Sequence, residues 1–451
     1  MKPLSGPVLN AADMPAAELA CGVALNVLME NAGRALAETI VRFGSGSPAL
    51  ILCGHGNNGG DGYVAARLLA ERGMPITVAA LDDPKTELAK AARRRWTGEV
   101  LPIGLAAGAP VMVDALFGTG LTRPLDNELR AILVRLAACA RIIIAADLPS
   151  GVGTDDGSDL GAVAANITLA FGAAKPAHLL QPAARLCGRV LVADIGMAAS
   201  SEVHVLSRAQ LNVPAPGDHK YSRGMVAVIA GPMSGAATLA VRAASHLAGY
   251  TVLCGDADAP AAVVRRGFSA TMANPNLRAI LIGPGLTDGS NNRVKVEAAL
   301  ASAVPLVLDA GALAMLTPED IQRPVATILT PHEGEFGRLF GAIEGSKIER
   351  ARIAARRSGA TILLKGSDTV IASPDGRVTL APTASPWLAT AGTGDVLAGI
   401  VTAMLGRGLD PHTAACAAVW LHGEAARQAG AAFVADDLCA HIPAAVALTL
   451  A

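Results

Sequence analysis

The residues able to do chemistry fall into clusters, each at the end of an apolar run. The first is Gly54-His55-Gly56-Asn57-Asn58-Gly59-Gly60-Asp61-Gly62, with five glycines, two asparagines and one aspartate. Glycine permits positive φ and close approach of a ligand to the backbone. Free N–H groups ahead of a helix suit a phosphate. The loop matches neither G-x-G-x-x-G nor the phosphate-binding loop of nucleotide triphosphatases, so neither label applies. Asp114 ends a second apolar run, ahead of Phe117-Gly118-Thr119-Gly120-Leu121-Thr122-Arg123-Pro124. Asp147 ends a third, followed by Leu148-Pro149-Ser150-Gly151. One aspartate at a strand end is commonly a helix cap. Three acidic or amide-rich tips in one half favour a binding site.

In the second half the richest cluster is Ala391-Gly392-Thr393-Gly394-Asp395, opening an apolar helix over 396–405. Such a turn offers N–H groups to an anion, and the aspartate sits where an acceptor would meet a transferred phosphate. Upstream lies Lys365-Gly366-Ser367-Asp368-Thr369. His332, in Thr-Pro-His-Glu-Gly-Glu, is read as a ligand contact rather than a simple cap. His55 is left as structural, and His219 with Lys220 are candidates for a phosphate contact.

Strands and helices alternate around these clusters. Strands are expected over 49–53, 76–81, 111–116, 141–147, 166–171 and 189–192. Helices are expected over 14–40, 63–72, 85–96 and 127–138. The segment 199–216 reads as a linker, after a short last strand near 202–206. The pattern then restarts, with strands over 224–230, 250–254, 278–282, 305–308, 325–329 and 361–365, two short strands near 369–372 and 378–380, and helices from 394 onward. Alternation of this kind implies an α/β fold in which a mostly parallel sheet is covered on both faces. In such sheets ligands bind beyond the carboxyl ends of the strands.

Composition narrows the classes. A chain of 451 residues is too long for one ordinary core. A formal net charge of −1 gives no electrostatic case for nucleic acid, and the arginine runs at 93–95 and 356–357 read as solvated helix faces. The seven cysteines are scattered without a CxxC spacing, which argues for a reducing compartment and against structural zinc. The first twenty residues lack an apolar stretch of signal-peptide type, and no run is long enough to cross a bilayer. A cytoplasmic, non-membrane protein is expected.

The motif order then becomes specific. G-H-G-N-N-G-G-D-G, V-D-A-L-F-G-T-G and A-A-D-L-P-S-G resemble the NAD(P)H-hydrate epimerase domain over about residues 10–205. The resemblance implies a Rossmann-like three-layer sandwich and a substrate, NAD(P)HX, bearing water added across the 5,6 double bond of its nicotinamide ring. It implies substrate contacts at Asn57, Asn58, Gly59, Gly60, Asp61, Gly118, Thr119, Gly120, Leu121, Thr122, Arg123, Pro124 and Asp147. Asp147 is the implied acid/base group, and a potassium ion is implied on Asn58, Asp114 and Ser150, all oxygen donors suited to a hard cation.

In the second half G-P-G-L, L-D-A, L-T-P-H-E-G-E, L-L-K-G-S-D-T and A-G-T-G-D-V-L-A-G resemble the ADP- or ATP-dependent NAD(P)H-hydrate dehydratase over about residues 215–451. That family has a ribokinase-like α/β fold. The resemblance implies that Ala237, Gly285, His332 and Asp395 bind the hydrate, with Asp395 as base. It implies that Lys365, Gly366, Ser367, Asp368, Thr369 and Gly394 hold ADP or ATP with magnesium. Both halves together resemble the bifunctional NAD(P)H-hydrate repair enzymes, with an epimerase domain over 1–210 and a dehydratase domain over 211–451. A homo-oligomer is expected. One position departs: Gly311 follows Asp309-Ala310 where that family has a second acidic residue. The competing readings are a small-molecule kinase with a regulatory nucleotide-binding first half, and a non-catalytic first half.

Overall fold

The computed structural model describes residues 2–450. The chain divides into two compact units, one ending at Val205 and the next beginning at Leu206.

In the first unit the strands are β1 (Lys2–Pro3), β2 (Ala49–Cys53), β3 (Ile76–Ala80), β4 (Val100–Pro102), β5 (Val111–Ala115), β6 (Ile142–Ala146), β7 (Ile167–Phe171), β8 (Arg189–Ala193) and the short β9 (Val203–Val205). One sheet runs in the order β1-β8-β7-β6-β5-β2-β3-β4. Every pairing is parallel except that of β1 with β8. The expected two-faced burial is visible within β2. Ala49, Ile51 and Cys53 pack with Leu36, Ile40 and Val64 on one side. Leu50 and Leu52 pack with Leu129 and Leu133 on the other. Alternation with period two sends neighbours to opposite faces, so five consecutive apolar residues serve both layers.

Two expectations are corrected here. The helix expected over 14–40 is two helices, Asp13–Ala20 and Leu25–Gly44. The break contains Gly22 at φ +72°, a conformation that ends a right-handed helix. The second concerns the glycine-rich stretch. It is not a loop ahead of a helix at 63: the helix begins at Asn57 and runs to Ala70. Four of its five glycines are there for want of a Cβ, and none has a positive φ. A Cβ on Gly54 would lie 1.8 Å from the Leu116 carbonyl oxygen, and one on Gly59 1.9 Å from that of Gly54. One on Gly60 would meet Met29 at 2.6 Å. The stretch is a close junction of β2, β5 and two helices.

The second unit contains β10 (Met225–Ile229), β11 (Tyr250–Cys254), β12 (Val264–Arg265), β13 (Leu277–Ile282), β14 (Leu306–Leu308), β15 (Thr327–Leu329), β16 (Thr361–Leu364), β17 (Val370–Ala372) and β18 (Val378–Leu380). Their order is β12-β11-β10-β13-β14-β15-β16-β17-β18. Pairing is parallel as far as β16, then antiparallel through β17 and β18. Helices Ser234–Ser245, Thr393–Gly406, Pro411–Ala429 and Ala435–Thr449 cover one face. The alanine content works there: a Cβ on Gly399 would lie 2.2 Å from the Ala240 carbonyl, so two helices meet backbone to backbone. Among the described residues no helix is long and apolar enough to cross a membrane.

Candidate active sites

In the first sheet β2 is flanked by β3 and β5, so the strand order turns back at the β2/β5 boundary. Segments leaving β2, β5 and β6 at their carboxyl ends converge there. The helix after β2 presents the N–H groups of Asn57, Asn58 and Gly59 ahead of its first backbone bond, which Gly60 makes to Gly56. Asn57 is exposed, whereas Asn58, Gly59, Gly60 and Asp61 are buried. Asn57 accepts a hydrogen bond from the Thr86 hydroxyl (2.6 Å). After β5, Gly118 stands between partners: a Cβ there would lie 3.5 Å from both Asn58 and Asp147 Oδ2. The Thr119 carbonyl accepts from Thr154 Oγ1 (3.2 Å). Thr122, Arg123 and Pro124 form an exposed rim, with Leu121 and Gly120 beside it.

Asp147 follows β6 at φ +63°, a strained setting for a side-chain-bearing residue. It is held from several sides. Its N–H donates to the Leu169 carbonyl (2.9 Å). Its Oδ1 accepts from the Phe171 N–H (3.0 Å) and from Lys175 Nζ (2.5 Å). Lys175 is fully buried and also donates to the Phe171 carbonyl (2.9 Å). His178 Nδ1 accepts from the Lys175 N–H (3.0 Å), which makes Nε2 the donor to the Asp147 carbonyl (2.8 Å). Burial pushes the imidazole down to about 4, so it is neutral. Asp61 and Glu18 face the same cluster. Burial, then the Asp147 charge, raises Glu18. Burial, then Asp147 and Glu18, raises Asp61 well above the usual carboxylate range. Glu18, Lys175 and His178 were missed in the sequence. Lys175 lies 28 positions from Asp147, and no local pattern joins them.

Asp114, on β5, is also buried. Its Oδ1 accepts from Ser150 Oγ (2.6 Å) and the Leu116 N–H (3.2 Å), and its Oδ2 from the Ser150 N–H (2.7 Å). Burial raises its carboxyl despite these three donors. A buried carboxylate met by neutral donors leaves charge for a cation to balance. Asn58 Nδ2 is buried without a partner. An amide oriented the other way would put its oxygen at that place, as a cation requires. The donor set therefore fits potassium.

In the second unit β10 is flanked by β11 and β13. Gly285 (φ +69°) follows β13, Asp309 follows β14, His332 follows β15 and Lys365 follows β16. Lys365 Nζ pairs with Asp309 Oδ1 at 2.9 Å and with Glu335 Oε2 at 3.9 Å. Asp309 is 1% exposed, so this is a buried pair. A Cβ on Gly394 would lie 3.5 Å from Lys365 Nζ. The lysine thus reaches the turn that carries Asp395. That turn is the start of the helix Thr393–Gly406, with Gly392 at φ +89° as its N-cap. Burial, then the Asp309 charge, lifts Asp395 to about 6, with Lys365 opposing. His422 Nε2 donates to the Thr393 carbonyl (2.9 Å) and so steadies the turn. It is a further residue that the motifs did not reveal.

A cavity of about 1020 Å³ is lined by Lys365, Gly366, Ser367, Thr369 and Gly394, with Trp420 among its apolar walls. Asp368 instead pairs with Lys347 (2.7 Å). A smaller cavity of about 240 Å³ includes Gly285, Gly311 and Glu335. Ala237 is wholly buried within the core, so its side chain faces neighbours in the protein. His332 is the N-cap of Glu333–Phe340: its Nδ1 accepts from the Gly334 N–H (3.0 Å), and its own N–H donates to Glu335 (2.9 Å). The capping role set aside in the sequence is therefore present. The phosphate contact considered for His219 and Lys220 is overturned. They precede β10, at the amino edge, and Lys220 lies over the Tyr221 and Tyr250 rings. Gly311 has a steric reason: a Cβ there would lie 2.0 Å from the Leu286 carbonyl oxygen. No acidic side chain fits in this backbone.

Comparison with known proteins agrees with both halves. Residues 25–177 match the family model described as YjeF-related protein N-terminus. Residues 226–445 match the model described as NAD(P)H-hydrate dehydratase. The bifunctional NAD(P)H-hydrate repair enzyme Nnr of Mycobacterium tuberculosis is 35% identical, over 80% of this chain and 79% of its own length. That of Salinibacter ruber is 35% identical, over 98% of this chain and 96% of its own length. Among solved structures, the ADP/ATP-dependent NAD(P)H-hydrate dehydratase of Bacillus subtilis, co-crystallised with ATP and Mg2+, is 33% identical. It covers 54% of this chain and 95% of its own, with a TM-score of 0.48. With relatives of this identity along nearly its full length, the chain belongs to the family of bifunctional NAD(P)H-hydrate repair enzymes.

Proposed function

We propose that the chain repairs hydrated NAD(P)H in two steps: residues 1–210 interconvert the R and S hydrates, and residues 211–451 dehydrate the S form with ADP or ATP. The observation that carries this reading is a pair of half-buried or buried aspartates, Asp147 and Asp395, each at the carboxyl edge of its own sheet beside a lysine.

For epimerisation, C6 of the hydrate bears a hydroxyl and the ring nitrogen. Asp147 Oδ2 gives a proton to that hydroxyl, the C6–O bond breaks, and water leaves as the nitrogen lone pair forms an iminium. Water adds to the other face and its proton returns to Oδ2. Asn57, Asn58, Gly59, Gly60 and Asp61 and the segment from Gly118 to Pro124 hold the substrate, with backbone N–H groups on its phosphates. Asn58, Asp114 and Ser150 would hold potassium, which supplies a fixed positive charge.

For dehydration, hydroxide is a poor leaving group. Asp395 takes the hydroxyl proton as the terminal phosphoryl group passes from the nucleotide to that oxygen. The C6–O bond then breaks with phosphate leaving and a proton lost from C5, restoring the 5,6 double bond. Lys365, Gly366, Ser367, Thr369 and Gly394 would hold the nucleotide, with Asp368 fixing their segment through Lys347, and magnesium would supply positive charge on its phosphates. Ala237 (through its backbone), Gly285 and His332 border the hydrate. Cytoplasmic location and a homo-oligomer complete the reading; gel filtration tests the latter. The decisive assay gives the protein a mixed R/S hydrate with each nucleotide in turn. Full conversion to reduced nicotinamide with stoichiometric free phosphate is expected. A stable phosphorylated product would show a kinase, and conversion stopping at half would show a silent first domain.

A further inference from the structure

We infer that Lys175 is a positioning residue of the epimerisation, acting through Asp147. The inference rests on the proposed role of Asp147. Three observations carry it. Lys175 has no exposed surface at all, although burying a flexible ammonium is costly without a partner. Its Nζ meets Asp147 Oδ1 and the Phe171 carbonyl, two oxygens at the carboxyl ends of the adjacent strands β6 and β7. The Phe171 N–H takes Oδ1 as well, so that oxygen is fully engaged. Oδ2 faces Gly118 and is the oxygen left for a ligand.

The ammonium thereby selects one oxygen of the carboxyl. Two lone contacts on Oδ1 stop the carboxyl turning about its Cβ–Cγ bond, where broad two-fold freedom is the norm. The backbone is fixed by the same segment: His178, three residues on, binds the Asp147 carbonyl and the Lys175 N–H together. Lys175 is too deeply buried to touch a substrate. Its effect must pass through the geometry of Asp147, and small misplacement of a reacting group costs about 100-fold.

The test is a double-mutant cycle on the full-length protein, following epimerisation under steady state with dehydration as the internal control. Lys175→Met is expected to lower epimerisation kcat about 100-fold, to leave KM within about twofold, and to leave dehydration unchanged. Lys175→Arg, which keeps the cation, should recover at least tenfold of that loss. Lys175→Met costs stability by removing the ion-pair partner of Asp147, so the variant Lys175→Met with Asp147→Asn provides a neutral pair of similar shape. It should be no slower than Asp147→Asn alone, because Lys175 has nothing left to position. A further tenfold loss in the double variant would mean an independent role and overturn the inference. So would full kcat in Lys175→Met, or a loss confined to KM. Absence of epimerisation in the unmutated protein would instead sink the proposed function.

Discussion

The dehydratase half should lose activity in acid with a midpoint set by Asp395. A general base works only when ionised, and this carboxyl titrates at about 6. At pH 8 about 99% is ionised, at pH 6 about half, and at pH 5 about one tenth. The pH profile of kcat/KM for the first-binding substrate, which reports the free enzyme, should therefore be flat near pH 8 and fall about tenfold by pH 5. The sign of each neighbour is fixed by the structure. Burial is the larger cause and cannot be removed without removing the fold. Asp309 repels the ionised form, and Lys365 favours it. Asp309→Asn should move the acid limb to lower pH, and Lys365→Met should move it to higher pH. Reduced-nicotinamide absorbance follows the rate, with epimerisation kept in excess. A flat profile from pH 8 to 5, or limbs that move the same way in both variants, would refute Asp395 as the base.

Three further outcomes are expected. Asp147→Asn should cut epimerisation about 10³-fold and spare dehydration, while Asp395→Ala should cut dehydration about 10³-fold and spare epimerisation; chiral separation of the hydrates reads the first and phosphate release the second. Replacing potassium by sodium should slow epimerisation, and Asp114→Ala should remove that ion dependence along with most of the rate; equal rates in both salts would remove the ion from the site. Gly311→Asp, which supplies the acidic residue that the resemblance implies there, should destabilise the second unit by about 3 kcal/mol, roughly 6–12 °C in melting temperature, because its Cβ meets the Leu286 carbonyl. Unchanged melting would mean that this backbone yields.

The chain order of strands was legible because five-residue apolar runs such as 49–53 and 142–146 need no partner to be recognised. Which strands lie side by side was not, since that depends on crossovers. Asp114 and Asp147 stood out because each ends an apolar run, and Asp395 because it opens one. The glycine stretch was located but misjudged. Its glycines read as conformational freedom, whereas four of them answer a clash with Leu116, Gly54, Met29 or Cys53 that only the assembled layers create. Lys175 and His178 were invisible for the related reason that a buried ion pair is a long-range fact. In sequence, Ala-Ala-Lys-Pro-Ala-His carries no periodicity and no motif chemistry. His332 was ambiguous in the opposite sense: its partners are local, and what the structure shows is the cap.

The two halves use one device in opposite directions. Each has an aspartate–lysine pair at the carboxyl edge of its sheet. In the first, the lysine side chain is 0% exposed and the aspartate 10%. In the second, the lysine is 20% exposed and the aspartate 2%. A buried pair is retained for what it orients more than for stability, since apolar replacement of both partners is often neutral. The partner nearer the surface is then the one presented. In the first half that is a carboxyl group, whose free oxygen can pass a proton to and from a hemiaminal. In the second it is an ammonium beside Gly394, as an approaching phosphate requires. Asp309 touches both sides of this arrangement: it pairs with Lys365, and its charge raises Asp395. Gly311 is not among the partners of Lys365 or Asp395, so the lysine, the anion turn and the base are held without a carboxylate at that position.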